Sequence, residues 1–230
     1  MMKFDIITIF PKMFDSYFSE SIIMRAKNGG FIDVAIHDLR DYTIDNHKTV
    51  DDTPYGGGAG MVLKAEPIFK ALEDIKKNNN DKKSRVILFS AKGKRYTQQD
   101  AARLSEYEKL IFVCGRYEGV DERVAENMAD EEVSIGDFVL TGGEIPAMAV
   151  IDSLTRLIPG VLGNFESTEV ESHSSEGYLE YPQYTKPEDF MGWKVPDILL
   201  SGHTGEIDKW RHEQSVERTI KLRPDLLEDE

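Results

Sequence analysis

Leu110-Ile111-Phe112-Val113-Cys114-Gly115-Arg116-Tyr117-Glu118-Gly119 is the stretch that decides the fold. Apolar residues without polar alternation read as a strand covered on both faces, ended by the glycine-bearing turn that follows. The pattern recurs on either side. Val86 to Phe89 is a second buried run, and Phe4 to Ile9 is another, stopped by Pro11. Phe31 to Ile36 is another strand and Glu132 to Ile135 a short one. Between them lie helical spacings. Met13 to Lys27 carries Phe14, Phe18, Ile22, Met24 and Ala26 near one face, and Pro67 to Lys77 is a second helix. Thr97 and Asp100 form a helix-opening box, Asp121 begins a further helix, and Glu144 to Ile158 is a last one, broken by Pro159-Gly160. Strands alternating with helices predict an α/β fold with a mostly parallel sheet.

Asn164 to Glu176 is polar, serine-rich and acidic, and reads as a linker. Gly205 to Leu222 looks like one long amphipathic helix in a small second domain. The boundaries that follow are 1–162, a linker over 163–176, and 177–230. At about 150 residues per domain, a chain of 230 residues fits one large domain with an appendage.

Composition narrows the chemistry. A single cysteine, Cys114, excludes an intramolecular disulfide and any cysteine-built zinc or iron–sulfur site. At the end of an apolar strand it reads as a buried, inert thiol. No apolar run approaches the ~18 residues of a membrane span. The apolar start is short and interrupted by Asp5, unlike a signal peptide, so the expectation is a soluble, cytoplasmic protein. Lys and Arg number 28 against 42 Asp and Glu, a net charge of −14. That argues against a bulk cationic surface for nucleic acid. It leaves room for a local patch such as Lys82, Lys83, Arg85, Lys92, Lys94 and Arg95, because screening confines exposed charges to ~8 Å.

Glycine-rich loops lie at 54–60, 114–119 and 136–143, the last two directly after strands, where open α/β sheets hold their ligands. The plainer reading is turns that need positive φ. The familiar nucleotide fingerprints fail: a P-loop ending at Gly93-Lys94 needs glycine where Leu88 stands, and a dinucleotide fingerprint from Gly58 needs glycine or alanine at Leu63. His37, His47, His173, His203 and His212 fall into no metal-ligand spacing and read as surface or capping residues. No G-x-S-x-G elbow is present for acyl transfer. Arg156, among apolar and small helix neighbours, either snorkels, pairs with a carboxylate, or is aimed at an anion.

The loops in combination resemble a known family. Pro54-Tyr55-Gly56-Gly57-Gly58-Ala59-Gly60-Met61, Cys114 to Arg123, Ile135 to Glu144, Arg156-Leu157-Ile158-Pro159-Gly160-Val161-Leu162 and Tyr181-Pro182-Gln183-Tyr184-Thr185-Lys186-Pro187 occur in the order seen in the bacterial tRNA (guanine-N1)-methyltransferases. The likeness runs from residue 3 to about residue 223. It implies a SPOUT-type fold with a deep trefoil knot at the end of its core, followed by a small helical tRNA-binding domain. It implies a homodimer with active sites at the subunit interface, and methyl transfer from S-adenosylmethionine to N1 of the guanosine immediately 3′ of the anticodon, when another guanosine precedes it.

By the same resemblance the methyl donor lies against Phe89, Ser90, Gly115, Tyr117, Glu118 and Gly119, then Ile135, Gly136, Asp137, Phe138, Val139 and Leu140, with Gly142 and Gly143. Guanine N1 must lose its proton before it attacks a methyl group, and the family uses an aspartate for this. The matching position is Glu171, with Glu169 as a substitute; the family's Asp-Ser-Phe is here Glu171-Ser172-His173. Arg156 then stabilises charge developing on O6. The family's usual Ser-Pro is Ser90-Ala91 in this chain. A requirement for Mg²⁺ is implied, without a carboxylate cluster to say where. Lys82 to Arg95, with Lys209, Arg211, Arg218 and Lys221, are candidate phosphate contacts. The alternatives are a knotted methyltransferase acting on another RNA and a non-catalytic RNA-binding protein of the same fold.

Overall fold

The computed structural model describes residues 1–77, 83–162, 172 and 177–227. The chain divides into a unit of Met1–Gly163 and a unit of Asn164–Glu230. In the first, β1 (Met2–Thr8), β2 (Ile32–Asp38), β5 (Ser84–Arg95), β6 (Lys109–Cys114) and β7 (Glu131–Ser134) form one all-parallel sheet in the order β2-β1-β6-β5-β7. β3 (Asp51–Asp52) and β4 (Val62–Leu63) make a separate antiparallel ribbon.

Strand alternation sorts the apolar runs onto two faces, which is why they lack polar positions. Phe4, Ile6, Ile87, Phe89, Leu110, Phe112 and Cys114 face α2 (Ser21–Asn28), α4 (Gln98–Ser105) and α6 (Glu144–Thr155) through Ile23, Ala101, Leu104, Val150 and Ile151. Ile7, Val86, Leu88, Ile111 and Val113 face α3 (Ala65–Lys77) and α5 (Glu122–Asn127) through Ile68, Ala71, Leu72, Ile75 and Val124. The α3 residues recur every three or four positions, so they form one stripe. Thr97 and Asp100 make the expected capping box, each satisfying the other's backbone N–H.

Several elements depart from the sequence reading. The single helix expected over 13–27 is a 3₁₀ turn at Pro11–Phe14, a short α1 (Asp15–Phe18), and then α2. The break falls at Glu20, which is extended, and Ser21, at φ 50°. Ile23, rather than Met24, turns into the core as a result. α6 stops at Thr155, and Leu157 and Ile158 continue in turns. β5 runs on to Arg95, past the expected end at Phe89, but its register with β7 breaks between Phe89 and Lys94. Residues 90–93 therefore arch out of the sheet. A Cβ on Gly93 would lie 2.6 Å from Glu132 C, so the arch returns hard against β7. Polar arches carry no periodicity, which is why the sequence alone does not reveal this one.

One buried polar cluster ties the sheet together. Asp5, in mid-sheet, accepts Lys109 Nζ at 2.7 Å and meets His37 Nε2 at 2.6 Å, while His37 Nδ1 lies 3.1 Å from the Tyr42 hydroxyl. His37 is thus a part-buried member of this cluster rather than a surface residue. Burial raises the Asp5 carboxyl, but the hydrogen bonds from His37 and Lys109 outweigh it and hold the group below the usual carboxylate range. A depressed folded value means stability that is present above about pH 4 and lost as pH falls below it. In urea melts, the stability gap between the native chain and Asp5→Asn is expected to be widest at neutral pH and to close as pH is lowered through about 4. A gap constant with pH removes Asp5 from the acid transition.

In the second unit, α7 (Asp197–Leu200) and α8 (Thr204–Leu222) follow a hairpin of β8 (Asp189–Phe190) and β9 (Trp193–Lys194). α8 forms as expected, but its buried residues are Ser215 and Thr219. Thr219 Oγ1 accepts the Leu179 N–H at 2.9 Å, and Arg211 lies over the Tyr181 ring at 4.9 Å, so the 178–181 segment packs along that face. No helix among the described residues is long and apolar enough to cross a membrane.

Candidate active site

The strand ends converge on one cavity. Beyond Cys114, the loop that follows β6 is held from both sides by backbone hydrogen bonds. Glu118 N–H donates to Met61 O at 3.0 Å and Leu63 N–H to Gly119 O at 3.0 Å, which ties it to β4 and the residue before it. Gly143 N–H donates to Gly115 O at 3.0 Å, which ties it to the third glycine loop. This second junction is tight: a Cβ on Gly143 would sit 2.7 Å from Cys114 Cα, so only glycine lets α6 start so close to β6.

A buried ion pair locks the same junction. Glu144, with a side chain 1% exposed, accepts Arg116 Nε at 3.0 Å and the Thr8 hydroxyl at 2.7 Å. Arg116 also reaches Thr141 Oγ1 at 3.3 Å, and its guanidinium stacks 4.6 Å from the Phe10 ring centroid. The Gly142 position leaves no space for a Cβ between Arg116 and Glu144. Burial pushes the Cys114 thiol well up, and the Glu144 charge adds to it, so this is the inert thiol the sequence suggests.

The resulting cavity measures about 430 Å³. Phe89 and Ser90 of β5, then Gly115, Tyr117, Glu118 and Gly119, then Ile135, Gly136, Phe138, Val139, Leu140, Gly142 and Gly143 all line it. Asp137 is the expected donor-site residue that does not. Leu88, Val133 and Pro146 extend its apolar wall, whereas Tyr117 and Phe138 are about half exposed, at 52% and 53%. The first glycine loop, 54–60, contributes no wall; the residues just after it, Met61 and Leu63, hold the second loop by backbone hydrogen bonds.

The whole chain can now be set beside known proteins. A family model described as tRNA (Guanine-1)-methyltransferase TrmD matches residues 2–229. The chain belongs to the tRNA (guanine-N1)-methyltransferase family. It is 54% identical over 227 residues to a tRNA (guanine-N(1)-)-methyltransferase of Citrifermentans bemidjiense, covering 99% of this chain and 90% of that one. Proteins of the same name from Bacillus cereus (53% identical, 99% and 93% covered) and Dehalococcoides mccartyi (52%, 99% and 91%) are similar over the same span. The α/β unit with its parallel sheet agrees with membership of this family.

Of the expected catalytic pair, only Arg156 lies among the described residues, and it is not one of those that line the cavity. Arg156 is the C-cap of α6, whereas Gly143 is its N-cap and Pro146 lies in its first turn. Twelve helical residues span about 18 Å, so Arg156 stands a helix length from Gly143 at the other end of α6. Glu171 and Glu169 lie outside the described residues. Among the described residues no group of three or more His, Cys, Asp or Glu could hold a metal ion, so no residue is assigned to Mg²⁺.

The expected phosphate contacts are mostly engaged. Lys83 pairs with Glu106, Arg85 with Glu131 at 2.6 Å, Lys92 with Glu122 at 2.6 Å, and Lys94 with Asp100, while Arg211 pairs with Asp208. Lys82 lies outside the described residues. Arg218 donates to Glu180 O at 3.5 Å, and Lys209 and Lys221 are exposed. Sequence reasoning passes over Arg116 and Glu144 as site residues, although both stand inside the quoted motifs; their pairing across 28 positions has no local signature.

Proposed function

We propose that this chain transfers the methyl group of S-adenosylmethionine to N1 of the guanosine immediately 3′ of the anticodon, position 37 of tRNA, where a guanosine precedes it. The observation that carries this reading is the glycine-lined cavity, whose walls are built from the family's own motifs. Its chemistry fits an adenosyl group. Phe89, Ile135, Leu140 and Pro146 supply apolar faces for a purine ring, and the backbone of 135–143 supplies groups for its polar edge. A Cβ on Gly115 would meet Val120 Cγ1 at 3.6 Å and Phe89 O at 3.7 Å, so this glycine keeps open a space that a side chain could occupy.

S-adenosylmethionine supplies a methyl on a sulfonium, a leaving group that needs no activation. The protein's part is positioning and electrostatics. Glu171 takes the proton from guanine N1, with Glu169 able to replace it, and the Arg156 guanidinium offsets the negative charge that gathers on O6. Arg156 does not line the cavity of its own chain, and a homodimer in which each cavity is completed by the partner's Arg156 brings the two together. This reading places the deep knot at the loops around 115–119 and 135–143. It assigns 1–162 to methyl transfer, 163–176 to a linker and 177–230 to a helical tRNA-binding domain, in a cytoplasmic enzyme.

Labelled S-adenosylmethionine should mark tRNA transcripts with guanosine at position 37 and leave those with adenosine there unmarked. The methylated base should stop reverse transcription, as an N1 adduct blocks Watson–Crick pairing. Label at another base would favour a knotted methyltransferase of different specificity, and tRNA binding without label a non-catalytic binder.

A further inference from the structure

Glu132 is a carboxylate on the cavity wall that neither the fold nor the chemistry above uses. It stands in β7 opposite Leu88 of β5. Its neighbour Glu131 turns to one side of the sheet, where Arg85 and Arg103 hold it. Alternation along the strand sends Glu132 to the other side, towards α5 and the loop after β6. Leu88, Lys92, Glu122 and Ala125 line the cavity at that end. Glu132 Oε1 is buried and accepts no hydrogen bond among the described residues. Lys92 feels its charge, but the Lys92 ammonium is held by Glu122 at 2.6 Å. The 90–93 arch packs on the Glu132 backbone, which fixes the strand at this residue. A buried acceptor without a donor is destabilising, and sites retain one where a ligand brings the donor.

We propose that Glu132 accepts hydrogen bonds from the ribose hydroxyls of the adenosyl ligand. This rests on the reading of the cavity as the S-adenosylmethionine site. The residue stands three positions before Ile135, beside the purine wall. A diol brings two donors and no negative charge. The amino-acid tail would carry an α-carboxylate into an end lined by Glu118, Glu122 and Glu132. Carboxylates that read ribose hydroxyls recur beside nucleotide sites in other α/β sheets.

Calorimetry on the full chain separates the possibilities. The probes are S-adenosylhomocysteine, 5′-methylthioadenosine, which lacks the tail, and its 2′,3′-dideoxy counterpart. Glu132→Ala is expected to weaken the first two by a similar factor of about tenfold or more, the scale of a hydrogen bond to a charged group. Affinity for the dideoxy compound should not change, and the melting temperature should hold or rise, since a buried carboxylate oxygen without a donor is removed. Glu132→Gln, which keeps an acceptor, should recover part of the loss. A loss confined to S-adenosylhomocysteine would overturn the proposal in favour of a contact to the ammonium, and unchanged affinities would overturn it outright. If the native chain binds none of the probes, the cavity reading itself falls and the proposal with it.

Discussion

Glu144→Ala is expected to lower the stability of the 1–163 unit by about 3–5 kcal/mol, the scale for removing one partner of a buried ion pair. The alanine leaves the Arg116 guanidinium, whose side chain is 14% exposed, without its carboxylate, and the Thr8 hydroxyl without its acceptor. Because that pair sits where the Gly143 N–H meets Gly115 O, the cavity wall loosens with it, and adenosyl-ligand binding should be lost even below the melting transition. Urea melts and calorimetry on the same variant check both parts. A double replacement by apolar residues, Arg116→Met with Glu144→Leu, should recover much of the stability, because a buried pair is often no better than well-packed hydrophobes. It should not recover binding. An unchanged melt for Glu144→Ala would mean that the pair contributes nothing to the fold.

Glu171→Ala is expected to reduce turnover by ~10²-fold or more, the range for a lost general base, with affinity for S-adenosylhomocysteine unchanged. Single-turnover methyl transfer against binding separates the two. If turnover persists, Glu169→Ala identifies the substitute base, and persistence in both variants removes the carboxylates from the mechanism. Subunit geometry enters through mixing. Gly115→Val adds a side chain at the cavity wall, where the Cβ itself would meet only ordinary contacts. Mixed with Arg156→Ala, it should regain activity, because one of the two sites in a mixed dimer combines an intact cavity with an intact arginine. No recovery would place both functions within one chain.

Much of the fold was legible because apolar runs and helix caps are local. Val86 to Phe89 and Leu110 to Val113 declare buried strands by lacking polar positions, and Thr97 with Asp100 declares a helix start. The break at Ser21 was not legible, since Phe14, Phe18, Ile22 and Ala26 keep helical spacing across a backbone break that spacing does not register. The cavity's glycine loops were legible as glycine clusters directly after strands, and the family's motifs named the individual lining residues. Glu132 escaped both routes, because nothing about a glutamate in a short strand reveals that its oxygen is buried without a donor.

The sequence by itself determined the alternation of strands and helices, the parallel sheet and the family, for these depend on residue order and near-neighbour chemistry. Only the tertiary structure decided which loops form the cavity wall, that Arg116 reaches Glu144, and that Arg156 stands a helix length from Gly143. Those facts are distances between residues far apart in the chain, and a distance of that kind is set by how the elements pack, not by the residues that lie next to one another.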